Sequence, residues 1–264
     1  NIFYDIKKSK MHLWDDKKGY LIVPFNKYAY VKHSSGQHVS LYGDRLKRVT
    51  QFDKDDPTLH ESDVPPMTRF LVDQYGDSDE ASTGHRVMFF DIEVEVTDGF
   101  PDVMKATNVI TSIAAYDSTT EKYFTYCFDP ERRLQNYTKD DQIVEFYETE
   151  YEMLNKFFQK YLEIRPTIIS GWTSDFFDIP YLYNRAVRVL GPEVANLLSP
   201  ISEIGYSEFT KKHRIAGVSS LDYLLLYKQF TFTQQSSYRL DYIGEQEVNM
   251  KKVDYEGTLN DLYE

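Results

Sequence analysis

Val87-Met88-Phe89-Phe90-Asp91-Ile92-Glu93-Val94-Glu95-Val96 is apolar, rich in β-formers and long enough for one strand, yet it carries three carboxylates. Strand side chains alternate faces with period 2, so Asp91, Glu93 and Glu95 share one face and Phe90, Ile92 and Val94 the other. Burying like charges together costs several kcal/mol unless something positive compensates them. No Lys or Arg lies beside them in sequence, so a divalent cation is the natural compensator. Hard cations such as magnesium take oxygen ligands and need only one or two protein carboxylates plus substrate phosphate. The competing reading is an edge strand with a wet acidic face. The hydrophobic flanks argue against it.

The bulk numbers set outer bounds. A chain of 264 residues suits one large or two medium domains. The 22 Tyr and 17 Phe fill cores for the most part, while exposed rings can also stack on unpaired bases. A formal charge of -12 excludes a generally basic, DNA-coating protein. It is compatible with a metal-dependent nuclease, which concentrates carboxylates at its site and keeps positive charge in local grooves. Cys127 is the sole cysteine, so no internal disulfide forms, which fits a reducing compartment. No signal peptide is evident, and no apolar run is long enough to span a bilayer. The chain is expected to be soluble and intracellular, with no membrane partner.

Residues 2–52 read as a small β-rich module, with short hydrophobic runs separated by turns at Lys18-Gly19, Ser35-Gly36 and Gly43-Asp44. Lys32, Arg45, Lys47 and Arg48 form a modest basic cluster there, read as a solvated face or, less simply, a nucleic-acid rim. A short helix covers Met67 to Tyr75, and the acidic stretch Gly76–Gly84 marks the domain boundary. Beyond it the pattern becomes α/β. Strands are expected at 87–96, 109–116 and 122–128, the later two joined as an antiparallel meander. A helix over 148–163 follows, with Tyr151, Leu154, Phe157, Phe158, Tyr161 and Leu162 at helical spacing. Then come a buried strand at 167–170, a helix over about 179–190, a strand near 213–219 and helices near 221–229 and 238–246. That order implies an α/β (α+β) chain whose second domain has a ribonuclease-H-like fold.

A second constellation is Gly171-Trp172-Thr173-Ser174-Asp175-Phe176-Phe177-Asp178. Asp178 stands at a loop-to-helix junction, where Asp is a favoured cap. A helix cap is its simplest structural reading. The preceding strand, however, ends in Gly-Trp, where an α/β sheet presents functional side chains.

Asp91-Ile92-Glu93 followed by Gly171–Asp178 resembles the first two exonuclease motifs of family B DNA polymerases, with a particular likeness to the replicative polymerases of T-even-type bacteriophages. The likeness extends to Tyr42-Gly43, Asp98-Gly99-Phe100-Pro101 and Ser237-Tyr238-Arg239-Leu240-Asp241-Tyr242-Ile243, nearly the whole chain. It implies a 3′→5′ proofreading exonuclease domain over residues 85–264, preceded by the polymerase's β-rich N-terminal domain over residues 1–84. Asp91, Glu93 and Asp178 map to the family's ligands for two divalent ions, Mg2+ or Mn2+. In such sites one ion activates water and the other stabilises the leaving 3′ oxygen. Phe100 matches an aromatic that stacks on the primer-terminal base, its alternative being a turn hydrophobe. Lys252 matches a lysine that approaches the scissile phosphate, its alternative being a surface charge beside Lys251.

Two departures from the family pattern stand out. Thr173 occupies the position of a usual Asn, a shorter hydrogen-bonding side chain at a contact to the DNA strand. The third motif, Tyr-x-x-x-Asp, is expected after Tyr255 and is absent before Glu264; Tyr137–Asp141 has that spelling but precedes the second motif. The resemblance therefore implies the N-terminal and proofreading portion of a DNA-directed DNA polymerase, either excised or the first product of a polymerase encoded in pieces. By itself it is expected to be weakly active or silent. Its implied partners are single-stranded DNA 3′ ends, the remaining polymerase domains in cis or on a separate chain, a sliding clamp and replisome proteins. Its implied location is the cytoplasm of an infected bacterial cell. The alternative from another class is a non-catalytic single-stranded nucleic-acid-binding or polymerase-assembly module.

Overall fold

A computed structural model describes residues 1–97 and 99–253. The chain divides into two compact units, Asn1–Gly84 and His85–Glu264. In the first, β1 (Ile2–Asp5), β2 (Lys10–Asp15) and β3 (Gly19–Pro24) form an antiparallel sheet. β4 (Ala29–Lys32), β5 (His38–Val39), β6 (Arg45–Val49) and β7 (Leu59–His60) form a second sheet in the order β5-β6-β4-β7. Helix α1 (Pro66–Tyr75) opens on a proline, whose missing N–H costs nothing in a first turn. Phe70 of α1 joins Tyr4, Met11, Leu13, Phe25 and Tyr28 in the core of this unit. The basic cluster is partly engaged locally: Lys32 pairs with Asp44 at 2.7 Å, and Arg48 lies 3.6 Å over the Tyr28 ring.

The second unit is mixed α/β. Its elements are β8 (Val87–Val94), β9 (Ile110–Asp117), β10 (Lys122–Phe128), β11 (Tyr137–Lys139), β12 (Gln142–Tyr147), α2 (Glu150–Ile164), β13 (Ile168–Gly171), α3 (Asp178–Val189), α4 (Pro192–Ala195), β14 (Ile204–Ser207), β15 (Lys212–Ile215), β16 (Ser219–Asp222), α5 (Tyr223–Phe230) and α6 (Leu240–Val248). Seven strands make one mixed sheet in the order β11-β12-β10-β9-β8-β13-β16. β8, β9 and β10 run antiparallel in sequence, while β13 lies parallel to β8 on its other side and β16 parallel to β13. The carboxylate-bearing strand is thus interior to the sheet, not at an edge.

One face of β8 (Met88, Phe90, Ile92, Val94) is buried with the inner faces of α2 and α3. On α2 that face is Met153, Leu154, Phe157, Phe158, Tyr161 and Ile164. Tyr151 and Leu162, expected there from spacing, lie instead toward solvent at 57% and 41% exposure, and Met153 and Ile164 complete the buried stripe at its two ends. Thr149 caps α2 by accepting the Glu152 N–H at 3.2 Å.

Three differences from the sequence expectation have physical reasons. β8 ends at Val94, past a register shift against β9 between Glu93 and Val94, so Glu95 leaves the strand. The polar stretch around Tyr137–Asp141 forms the β11–β12 hairpin at the sheet's far edge, four strands from β8 in sheet order, so its Tyr-x-x-x-Asp spelling has no place beside Asp91. The strand near 213–219 is two strands. β15 pairs with β14 and carries buried His213 and Ile215, while β16 joins the main sheet. Among the described residues no helix is long and apolar enough to cross a membrane.

Candidate active site

β8 delivers Asp91 and Glu93 to the sheet face opposite α2 and α3. The expectation of jointly buried carboxylates requires correction here. Both residues are solvent-exposed, in an exposed–buried alternation along the strand. Glu95, beyond the strand end, is half-buried.

Asp178 is the deeply buried member, 3% exposed, and is the first residue of α3. Pairing of β13 with β8 stops at Ser170 opposite Phe89. Past that point β8 needs another acceptor on this side, and Asp178 supplies it: its Oδ1 accepts the Ile92 N–H at 3.2 Å. The divergence is built at Gly171, where a Cβ would stand 2.6 Å from the Phe90 carbonyl oxygen. The chain then turns through Thr173 at φ 67, whose carbonyl accepts the N–H groups of Phe176 (3.0 Å) and Phe177 (3.2 Å).

The electrostatics follow from this convergence. Burial, and after it the charge of Asp91, pushes the Asp178 pKa up to about 7. Asp91 is also raised above the ordinary carboxylate range by desolvation and then by Glu93, while Lys252 pulls it back. Lys252 therefore acts electrostatically on Asp91, and its neighbour Lys251 pairs with Glu245 at 2.8 Å.

Phe100 lies 83% exposed, its ring 5.2 Å from Phe177, the residue just before Asp178. Phe177 stacks in turn on Tyr181 at 5.6 Å. Asp91, Asp178, Lys252 and Phe100 are thus brought to one region from four separate segments. Thr173 lies in the same turn as Asp178, and Glu93 two strand positions beyond Asp91.

A network that the sequence did not suggest supports the turn before α3. Asp175, 8% exposed, pairs with Lys212 at 2.7 Å and accepts the Ser220 hydroxyl. Its N–H donates to Asp222 at 3.1 Å. Asp222 also caps α5 by accepting from Leu224 and Leu225, at 3.0 and 3.3 Å. The strand-end Asp before an apolar helix was a legible cap signal; its second duty to the Asp175 turn is visible only in the packing. Trp172 completes the support, donating from Nε1 to the Tyr238 carbonyl at 3.1 Å.

A family model for the exonuclease domain of family B DNA polymerases matches residues 73–243. The chain belongs to that family. It is 33% identical over 206 residues to the DNA-directed DNA polymerase of Escherichia phage RB69, covering 68% of this chain and 23% of that protein. Against the DNA-directed DNA polymerase of Enterobacteria phage T4 it is 30% identical over 225 residues, covering 74% of this chain and 25% of that one. DNA polymerase 1 of Sulfurisphaera ohwakuensis matches at 29% over 133 residues, 50% of this chain and 13% of that protein. The chain spans about a quarter of the length of the two phage relatives. The T-even-type likeness of its family B exonuclease domain is supported by these phage relatives.

Among the described residues, no group of three or more His, Cys, Asp and Glu is arranged to hold a metal ion. Asp91, Glu93 and Asp178 therefore do not close a three-ligand cage, since same-face strand neighbours lie about 7 Å apart. The donor chemistry still suits a hard cation. Two carboxylates, Asp91 and Asp178, repel each other across a site open to solvent on one side, and the remaining ligands can come from phosphate and water.

Proposed function

We propose that the chain is the N-terminal and proofreading portion of a family B DNA polymerase. In this reading residues 1–84 are the polymerase's N-terminal domain and the second unit is a ribonuclease-H-like 3′→5′ exonuclease domain acting on single-stranded DNA ends. The observation that carries it is the convergence of Asp91 and Asp178. Residues 87 positions apart in sequence come close enough that burial, and after it the charge of Asp91, pushes the Asp178 carboxyl to about 7, an arrangement that costs stability and has no use in packing.

Asp91 and Asp178, with Glu93 at the rim, would hold Mg2+ or Mn2+. The bound ions would supply a water activated for attack on phosphorus and charge stabilisation for the leaving 3′ oxygen. The rest of the task falls to the chain's own residues. Asp178, bonded to the Ile92 N–H, keeps its carboxylate fixed in orientation. Lys252 offsets the negative charge that phosphate brings to Asp91. Phe100 offers an exposed ring on which any terminal base can stack, and sequence-blind stacking suits removal of any mismatched nucleotide. Thr173 would meet the DNA strand. The products are a nucleoside monophosphate and a shortened 3′ end. The other polymerase regions, a sliding clamp and replisome proteins are the partners this role entails, in the host cytoplasm.

The lack of a three-carboxylate cluster among the described residues favours one rival, a chain that binds single strands without cutting them. A primer with a mismatched 3′ end, incubated with Mg2+ or Mn2+, separates the two. Metal-dependent 3′ shortening that Asp91→Ala/Glu93→Ala abolishes supports the nuclease. Binding without shortening supports the rival, and neither activity would overturn both.

A further inference from the structure

Phe100 is exposed, but the segment that carries it is firmly built. In the stretch 99–108, Asp102 Oδ1 accepts the N–H groups of Met104 (2.9 Å) and Lys105 (3.1 Å), and its carbonyl accepts that of Ala106 (2.8 Å). Ala106 is fully buried at φ 44, a backbone state that persists in a non-glycine residue only when its surroundings impose it.

The surroundings that impose it are largely one helix. From α3, Tyr181 donates its hydroxyl to the Asn108 carbonyl at 2.8 Å, and Asn184 Nδ2 donates to that of Val103 at 2.8 Å. Arg185 Nη1 donates to the carbonyls of Ala106 (3.1 Å) and Thr107 (2.6 Å). The other edge of the guanidinium is gripped by Glu150 at the start of α2, through Nε–Oε1 at 2.8 Å and Nη2–Oε2 at 2.6 Å. Glu150 Oε1 also accepts the Ile110 N–H at 2.8 Å, at the start of β9. Both side chains are close to buried, at 11% and 10% exposure.

A buried ion pair is weak evidence for stability, because desolvation offsets much of its attraction. A bidentate guanidinium does fix geometry, and a lysine cannot reproduce its planar fork. Here the fork is directed at two carbonyls of the Phe100 segment. The helix that presents it begins with Asp178, so one rigid rod carries a carboxylate at its first residue and the tethers of the aromatic loop one to two turns later.

We propose that Arg185, locked by Glu150 and assisted by Asn184, is a positioning residue that sets Phe100 in fixed register with Asp178. The terminal base on Phe100 and the phosphate at the carboxylates are then held at one spacing. This rests on the reading of Phe100 as a stacking platform given above.

The test is a double-mutant cycle on binding, which needs no turnover. The probe is a short single-stranded oligodeoxynucleotide with a 3′-terminal 2-aminopurine, titrated with the full chain in calcium and read by fluorescence. Phe100→Ala is expected to weaken binding roughly five- to hundredfold, the range for losing one base–aromatic stack. Arg185→Lys is expected to weaken it several-fold with loss of 2-aminopurine quenching. The double variant should be no weaker than Phe100→Ala alone, since residues acting through one another are non-additive. Should Arg185→Lys fail to fold, Asn184→Ala enters the same cycle under the same criterion.

Additive losses, or wild-type binding and quenching in the α3 variant, would overturn the positioning role while leaving Phe100 its own. Wild-type binding by Phe100→Ala would overturn the stacking reading and this inference together.

Discussion

The Asp178 carboxylate accepts the N–H of Ile92 at 3.2 Å, and this bond ties the first turn of α3 to the strand residue that separates Asp91 from Glu93. The bond favours an ionised Asp178, whereas burial and the nearby Asp91 disfavour it and win, pushing the carboxyl to about 7. Asp178→Asn keeps an acceptor of the same size and removes the repulsion. In EDTA at about pH 8 it should stabilise the chain by about 1 kcal/mol, the usual yield of relieving a functional strain. Magnesium should raise the melting temperature of the wild type and leave the variant unmoved. Scanning calorimetry with and without the ion reads both effects, and an unchanged metal response in the variant would contradict the assignment of Asp178 as a ligand.

Thr173 holds φ 67 in the turn that leads to Asp178. A β-branched side chain there is strained, whereas Asn tolerates the left-handed region. Thr173→Asn should therefore gain about 1 kcal/mol, at the low end of the cost of such strain, and Thr173→Val should gain nothing. Urea midpoints of the three proteins give the answer. A destabilised Asn variant would mean that the threonine hydroxyl makes up for the strain.

The strand at β8 and the α2 and α3 helices were legible because each depends on local periodicity and spacing. The exposure of Asp91 and Glu93 was not, because alternation says which residues share a face and nothing about whether another layer covers it. The β11–β12 hairpin escaped notice because β11 is short and wholly exposed at an edge, with no buried stripe to betray it. Asp175, Lys212, Ser220 and Asp222 meet only where β15, β16 and the turn after β13 come together, so no window of sequence holds the signal. The grip of Arg185 on Ala106 and Thr107 is likewise a contact across nearly eighty residues.

His213 lies between the rings of Tyr183 and Tyr206, each 5.0 Å away, with its Nδ1 buried and without a hydrogen-bond partner among the described residues. Burial lowers its pKa. The unfolded chain, titrating near 6.5, then binds the proton more readily than the folded one. This group's contribution is therefore fully present above about pH 6.5 and is lost as pH falls through the lowered folded value. His213→Phe fits an aromatic slot and removes both the orphaned nitrogen and the titration. It should flatten the stability profile between about pH 7 and about pH 5, measured by urea unfolding across that range. An equally steep profile in the variant would assign the acid sensitivity elsewhere.

Gly171 ends β13 with its Cα facing the backbone of β8. A methyl group there would stand 2.6 Å from the Phe90 carbonyl oxygen and 3.0 Å from Ser174 Cβ. The carbonyl belongs to an interior strand and cannot swing aside as a flexible side-chain tip would. Gly171→Ala must therefore push β13 away from β8 or shift the 172–178 turn, at a cost of about 1–3 kcal/mol for overpacking. The turn is the softer partner, since its backbone is already held at an unusual φ at Thr173. The shift would displace Asp178 from the Ile92 N–H, so binding of Mn2+, followed by its paramagnetic relaxation of water protons, should weaken more than the melting temperature alone would suggest. Gly205→Ala is the matched control, because nothing lies within 4 Å of a Cβ at that glycine. Equal effects of the two substitutions on metal binding would show that the close approach at Gly171 has no part in setting the site.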